Sequence, residues 1–127
     1  MIRILPTSNG SPLAGQSEKD WQAAVRSWAA AREDCLSLGN VELYRTSRVA
    51  GVVRRLRIDP RTRVIEVTIT DGSTSLGARW AITKQGPLLR AAPGSGLILE
   101  GIARLDERGE MWMEEPAFEI VAGPDYQ

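Results

Sequence analysis

Along residues 17–36 apolar side chains recur at three- and four-residue spacing. Trp21, Ala24, Val25, Trp28 and Cys35 fall on one stripe, which predicts an amphipathic helix. Ala23, Ala24, Ala29, Ala30 and Ala31 favour the same state. Ser17 followed by Asp20 makes a capping-box-like start. Gly39-Asn40 supplies the stop, so the helical segment is bounded at 17–39. Arg32 projects onto the stripe four residues after Trp28 and is expected to reach out of it along its methylene stem.

From Val41 the period changes to two. Residues 41–58 form a long first strand with Gly51 inside it, predicting a bulge or bend. Asp59-Pro60-Arg61-Thr62 is a turn. Residues 63–70 alternate Ile65, Val67 and Ile69 with Glu66, Thr68 and Thr70. Asp71-Gly72 predicts a hairpin into residues 75–82, where Leu76, Ala78, Trp80 and Ile82 share a face. Trp80 is therefore expected in the core. Residues 83–95 are a connector broken by Gly86-Pro87 and Pro93-Gly94, with room for one helical turn near Leu88 to Ala92. Residues 96–105 form a fourth strand, 106–109 a turn, and 110–121 a fifth strand that Pro116 confines to an edge or bend. Residues 1–16 and 123–127 read as tails, leaving a domain at 40–122.

One helix followed by five strands, with a tight hairpin between the second and third, is the layout of a mainly β, five-stranded OB-fold (Greek-key) barrel with an N-terminal α-helix. Another small barrel or a sandwich is the competing reading. The 83–95 connector is too broken to plug the barrel well. The 17–36 helix is therefore expected to cap the barrel bottom or to form a homodimer contact, because two tryptophans seven residues apart need burial.

Composition narrows the chemistry. The chain has 127 residues, enough for one domain with a core. It has no histidine and one cysteine. An internal disulfide is excluded, and the commonest general base and metal ligand are missing. No metal site, cofactor or catalytic group is expected, and the chain reads as a non-enzyme. Cys35 is expected to be an inert buried thiol. No apolar run approaches the ~20 residues of a membrane span. The first residues lack the roughly 7–15 apolar residues of a secretory signal, so a cytoplasmic location with no membrane contact is expected.

Net charge is zero, but it is unevenly spread. Residues 45–63 hold seven arginines against Asp59, net +6. Residues 100–127 hold eight acids against Arg104 and Arg108, net −6. Arginine outnumbers lysine fourteen to two.

The segments Arg48-Val49-Ala50-Gly51-Val52-Val53, Ile69-Thr70-Asp71-Gly72-Ser73-Thr74, Ala78-Arg79-Trp80, Pro93-Gly94, Leu99-Glu100-Gly101 and Glu115-Pro116-Ala117-Phe118 occur in order across residues 48–121. In that order they resemble the nucleic-acid-binding OB-fold family that includes the RecG wedge domain, and more specifically small single-domain actinobacterial proteins of that type. The resemblance covers about 60% of the chain. It departs at Glu115, where the family pattern has Asn, and at Phe118, where it has Tyr. It implies a barrel that binds nucleic acid.

In such barrels the loop between strands one and two, the loop between strands four and five, and the face of strands two and three meet the ligand. The candidate binding residues are Arg55, Arg57, Arg61, Arg63 and Arg79, with Trp112 as the partly exposed stacking aromatic. A single strand is the expected ligand, ahead of a duplex. Two other readings stand beside this one. The arginines could instead pair with the acidic last strand. The barrel and the Trp-bearing helix could instead form a protein-interaction module.

Overall fold

Alternation of polar and apolar residues makes the strands at the centre of the molecule. In the computed structural model, which describes residues 16–82 and 86–124, β2 (Val64–Thr70) buries Ile65, Val67 and Ile69, and β3 (Ser75–Ala81) buries Leu76, Ala78 and Trp80. Glu66, Thr68, Gly77 and Arg79 take the opposite face. The hairpin between them is built on Asp71. Its Oδ1 accepts the N–H groups of Ser73 and Thr74, and its Oδ2 accepts that of Leu38. Gly72 follows at φ 97°, a left-handed conformation that glycine adopts without steric cost.

β1 (Thr46–Asp59) is long enough to serve two neighbours. Thr46–Val52 pairs antiparallel with β4 (Gly96–Leu105), and Val52–Asp59 pairs antiparallel with β2. β5 (Met111–Glu114) lies parallel to β3 and antiparallel to β4. The order β1-β2-β3-β5-β4 returns to β1, closing the predicted five-stranded barrel.

The fifth strand is in two pieces. β5 and β6 (Ala117–Val121) both pair with β4, but the register gains one residue between Met113 and Ala117. The break falls at Glu115, with φ 49°, and at Pro116. The Pro116 carbonyl accepts the indole N–H of buried Trp80 at 2.9 Å. Trp80 also meets Phe118 edge-to-face, with centroids 5.6 Å apart. The core tryptophan thus anchors the bend.

Three expectations about local structure need correction. The bulge in β1 is at Arg54, between the pairs Val53–Ile69 and Arg55–Thr68, and not at Gly51. Gly51 instead serves close packing, since a Cβ there would lie 2.9 Å from Ile69 Cδ1.

The barrel plug is the second correction. The 3-10 turn Gly86–Arg90 inserts Leu88, and Ala91 follows it; both are fully buried in the main core with Val53, Ile65, Leu97 and Met113. One short turn suffices because Leu88 and Ala91 fill the space without a full helix. The N-terminal helix is therefore not the plug.

The third correction is the helix itself. α1 runs from Gln16 to Ala30, so Ser17 is its second residue and not its cap, and it ends before Cys35. Residues beyond Ala30 are drawn down to the barrel. The Leu36 N–H donates to the Arg48 carbonyl, and Leu38 enters the core from the 3-10 turn Leu38–Asn40. α1 packs on the outside of β1, where Trp21, Val25 and Val52 form a separate buried cluster edged by Trp28. The Trp28 indole donates to the Ala122 carbonyl at 3.0 Å, and its ring abuts Gly96. Arg32 lies over that ring, 4.6 Å from its centroid. The apolar stripe thus has its partner within the chain.

Cys35 sits past the helix and is partly exposed, not buried. Burial and the neighbouring Asp34 carboxylate push its thiol pKa up, which keeps it protonated. Among the described residues, no helix is long and apolar enough to cross a membrane. The tail expected over 1–16 lies outside the described residues apart from Gln16, as do the last three residues of the C-terminal one.

Candidate nucleic-acid interface

Strand parity decides which side chains stand on the outer face of the barrel, and the bulge at Arg54 resets that parity. Val53 points inward. Without an extra residue, Arg55 and Arg57 would point inward with it. The bulge lets Leu56 return to the core and turns Arg55 and Arg57 outward, opposite Thr68 and Glu66. Arg54, the extra residue, is held by the helix. Its guanidinium lies 4.9 Å from the Trp21 ring centroid, with Nη2 4.0 Å from Glu18.

Two rows of side chains then cross the sheet. One runs Arg57, Glu66, Arg79 over β1, β2 and β3. The other runs Arg55, Thr68, Gly77, Trp112 over β1, β2, β3 and β5. The second row is low in the middle, where Thr68 is short and Gly77 has no side chain. Together with the β4–β5 loop they enclose a groove of about 690 Å³. That lies within the ~300–1,000 Å³ of sites that hold small ligands, enough for a nucleotide unit.

No packing demand explains glycine at position 77. A Cβ there would find its nearest neighbours at 3.8 Å, on Trp112, and 3.9 Å, on the Met111 carbonyl, which is ordinary contact. The bare floor leaves room for something outside the chain.

The wall on the β5 side is Trp112. It is partly buried, and the Arg79 guanidinium covers its ring at 4.6 Å from the centroid. Its indole N–H is out of solvent and has no hydrogen-bond partner. Arg79 Nε also stands 3.5 Å from Glu66 Oε2, and Arg57 Nη2 stands 3.8 Å from Glu66 Oε1.

The rim is the loop Asp106–Glu110, which carries Arg108 to the groove. Asp106 holds the loop in shape. Its Oδ1 accepts the N–H groups of Glu110 and Arg108 at 2.9 and 2.8 Å, and these bonds lower its pKa. The groove therefore presents Arg55, Arg57, Arg79 and Arg108 against Glu66, Asp106 and Glu110. Among the described residues, no cluster of three or more Cys, Asp or Glu is placed to hold a metal ion.

Of the six predicted site residues, the fold brings Arg55, Arg57, Arg79 and Trp112 into this groove. Arg61 and Arg63 are not in its lining. They stand exposed on the β1–β2 turn, where the Asp59 carboxylate accepts the Arg61 N–H and Arg63 takes φ 59°. Sequence reading missed Glu66, Gly77 and Arg108. Arg108 had a usable signal, since it lies in the strand-four-to-five loop of the expected fold. Gly77 and Glu66 become visible only through register.

The acidic segment meets the basic one in part, through Glu100 beside Arg48 and through Asp106 and Glu110 in the groove lining. Among the described residues, the partners of Arg48, Arg54 and Arg57 are Asp34, Glu100, Glu18 and Glu66, and none lies in β5 or β6.

No family model and no curated protein matches the sequence. Solved structures do match by shape. The Stn1–Ten1 complex of S. pombe aligns with TM-score 0.50 and 18% identity, over 61% of this chain and 58% of that one. The asparaginyl-tRNA synthetase of Pyrococcus horikoshii aligns with TM-score 0.57 and 21% identity, over 71% of this chain and 23% of that one. The chain thus spans little over half of the first match and under a quarter of the second. With the strand order β1-β2-β3-β5-β4-β1, this likeness makes the chain an OB-fold barrel carrying one N-terminal helix.

Proposed function

We propose that this chain is a non-catalytic module that binds single-stranded nucleic acid in the groove across β1, β2 and β3. One observation carries the reading. Three outward arginines, a partly buried tryptophan and an unfilled glycine floor meet on the outer face of the strands, and the β4–β5 loop adds a fourth arginine at the rim. A basic channel walled by Trp112 under the Arg79 guanidinium offers charge for tracking phosphates and a planar cation for stacking a base. In OB-folds this face and these loops are the ones that meet oligonucleotides. One of the solved structures this chain resembles is an aminoacyl-tRNA synthetase, which carries an RNA in its name.

The non-catalytic part rests on the groove's side chains. Histidine is absent from the chain. Asp106 is occupied in holding its loop, and Glu66 stands between two guanidinium groups. A protein-partner reading that relied on the tryptophan face of the helix has lost its surface, because Trp21 and Val25 are buried against Val52.

The test is a titration of fluorescein-labelled single-stranded DNA and RNA at several salt concentrations. Four groove arginines predict a log–log slope of about −2 to −3, at roughly 0.7 per phosphate contact for single strands. Gly77→Val fills the floor while suiting a strand, and it should abolish binding without lowering stability. Absence of binding at low salt, or binding indifferent to Gly77→Val, rules out this groove.

A further inference from the structure

Resting on that reading of the groove, we infer that it selects guanine, and that the Glu66 carboxylate is the group that reads it. An acid in the middle of a phosphate-tracking face works against affinity, so its place there calls for a reason. Glu66 stands in the centre of the row Arg57, Glu66, Arg79 and beside the empty floor at Gly77. Its guanidinium neighbours at 3.8 and 3.5 Å balance its charge. They stand at or beyond the limit of hydrogen bonding and leave its oxygens with open acceptor positions. Its side chain is 40% exposed, facing the groove.

A base entering the trough between Arg55 and Trp112 stacks on the Arg79 guanidinium plane that covers the Trp112 ring, and turns an edge towards β2. Bases of single strands are read in this way, on their Watson–Crick edges. A carboxylate accepts only, through two oxygens in one plane. Guanine alone offers two adjacent donors on that edge, N1–H and the N2 amino group. Adenine and cytosine set a bare ring nitrogen beside their amino group, and its lone pair opposes the second oxygen. Uracil and thymine offer one N–H between two carbonyl oxygens. The two-point match therefore favours guanine, while Arg57 and Arg79 keep the neighbouring phosphates compatible with the acid.

The experiment uses labelled twelve-nucleotide oligouridine and the same oligomer with a single internal G, A or C. Each is titrated at low salt against the parent chain, Glu66→Gln and Gly77→Val. The G oligomer should bind about tenfold more tightly than the other three, the size of one good bidentate base contact. Glu66→Gln should reduce that preference to less than twofold. It should also bind oligouridine more tightly than the parent, because it removes a negative charge from the groove. Equal affinity for all four oligomers, or an undiminished preference in Glu66→Gln, overturns guanine selection while leaving the groove as a general single-strand site. Failure of every oligomer to bind overturns the proposed function itself.

Discussion

At the scale of single residues, Asp71 shows how much one side chain can hold. It is 8% exposed and accepts three backbone N–H groups, two in the β2–β3 turn and one from Leu38. Removing it strands those donors at the point where the connector after α1 docks on the barrel. Asp71→Ala should cost about 2 kcal/mol, within the range for hydrogen bonds to a charged acceptor, read as a lower midpoint in urea unfolding.

Asp106 acts similarly on the groove rim but in solvent. The N–H groups of Glu110 and Arg108 lower its pKa. A carboxylate depressed on folding stabilises the fold above its unfolded value, about 4, and that contribution fades as pH falls through the lower folded value. Asp106→Ala should therefore be less stable than the parent at pH 7, and thermal melts should show the gap closing as the pH drops below about 4.

The elements divide the arginine-rich segment between them. Alternation alone sets Arg55, Arg57, Arg61 and Arg63 in phase with inward-facing Val53. One inserted residue, Arg54, changes the phase, and the turn after Asp59 takes the last two away from the groove. Binding should reflect this. Arg57→Ala and Arg79→Ala should each reduce the salt slope by about 0.7, whereas Arg61→Ala and Arg63→Ala should change it much less. Titrations of the four variants side by side decide the matter, and equal effects from all four would remove the groove's special status.

The helix is an element with its own account. Its face was legible as a stripe of tryptophan and valine, but its target was not, since Val52 belongs to the strand that the bulge interrupts. Trp21→Ala opens a void between α1 and β1 and should destabilise the chain by about 3 kcal/mol. Because Trp21 packs on β1 through Val52 and Arg54, neither of which lines the groove, affinity at 25 °C should survive in whatever fraction remains folded.

For the molecule as a whole, closure of the sheet joins distant sequence into one surface. Trp112 reaches the groove because β5 runs parallel to β3, a pairing between residues more than thirty positions apart. The same closure sorts the charges only in part. Arg55 and Arg57 open on the groove, Asp106 and Glu110 of the acidic segment stand at its rim, and no ion pair joins β5 or β6 to the 54–63 segment among the described residues. A neutral chain can thus gather four arginines around one groove, and if they track phosphates as proposed, affinity should fall with salt.

The sequence alone determined the phases of β2 and β3, the Asp-Gly hairpin, the core position of Trp80 and the barrel as a class. These follow from alternation and turn chemistry, which act over a few residues. The tertiary structure decided the rest. It placed the bulge at Arg54, because only pairing with β2 reveals an unmatched residue. It used Leu88 and Ala91 as the plug, because the space to be filled exists only once the barrel closes. It ended the helix at Ala30, because Leu36 and Leu38 gain more from β1 and the core than from another helical turn. It also set Glu66 between two arginines over an empty floor, an arrangement of three strands that local sequence does not encode.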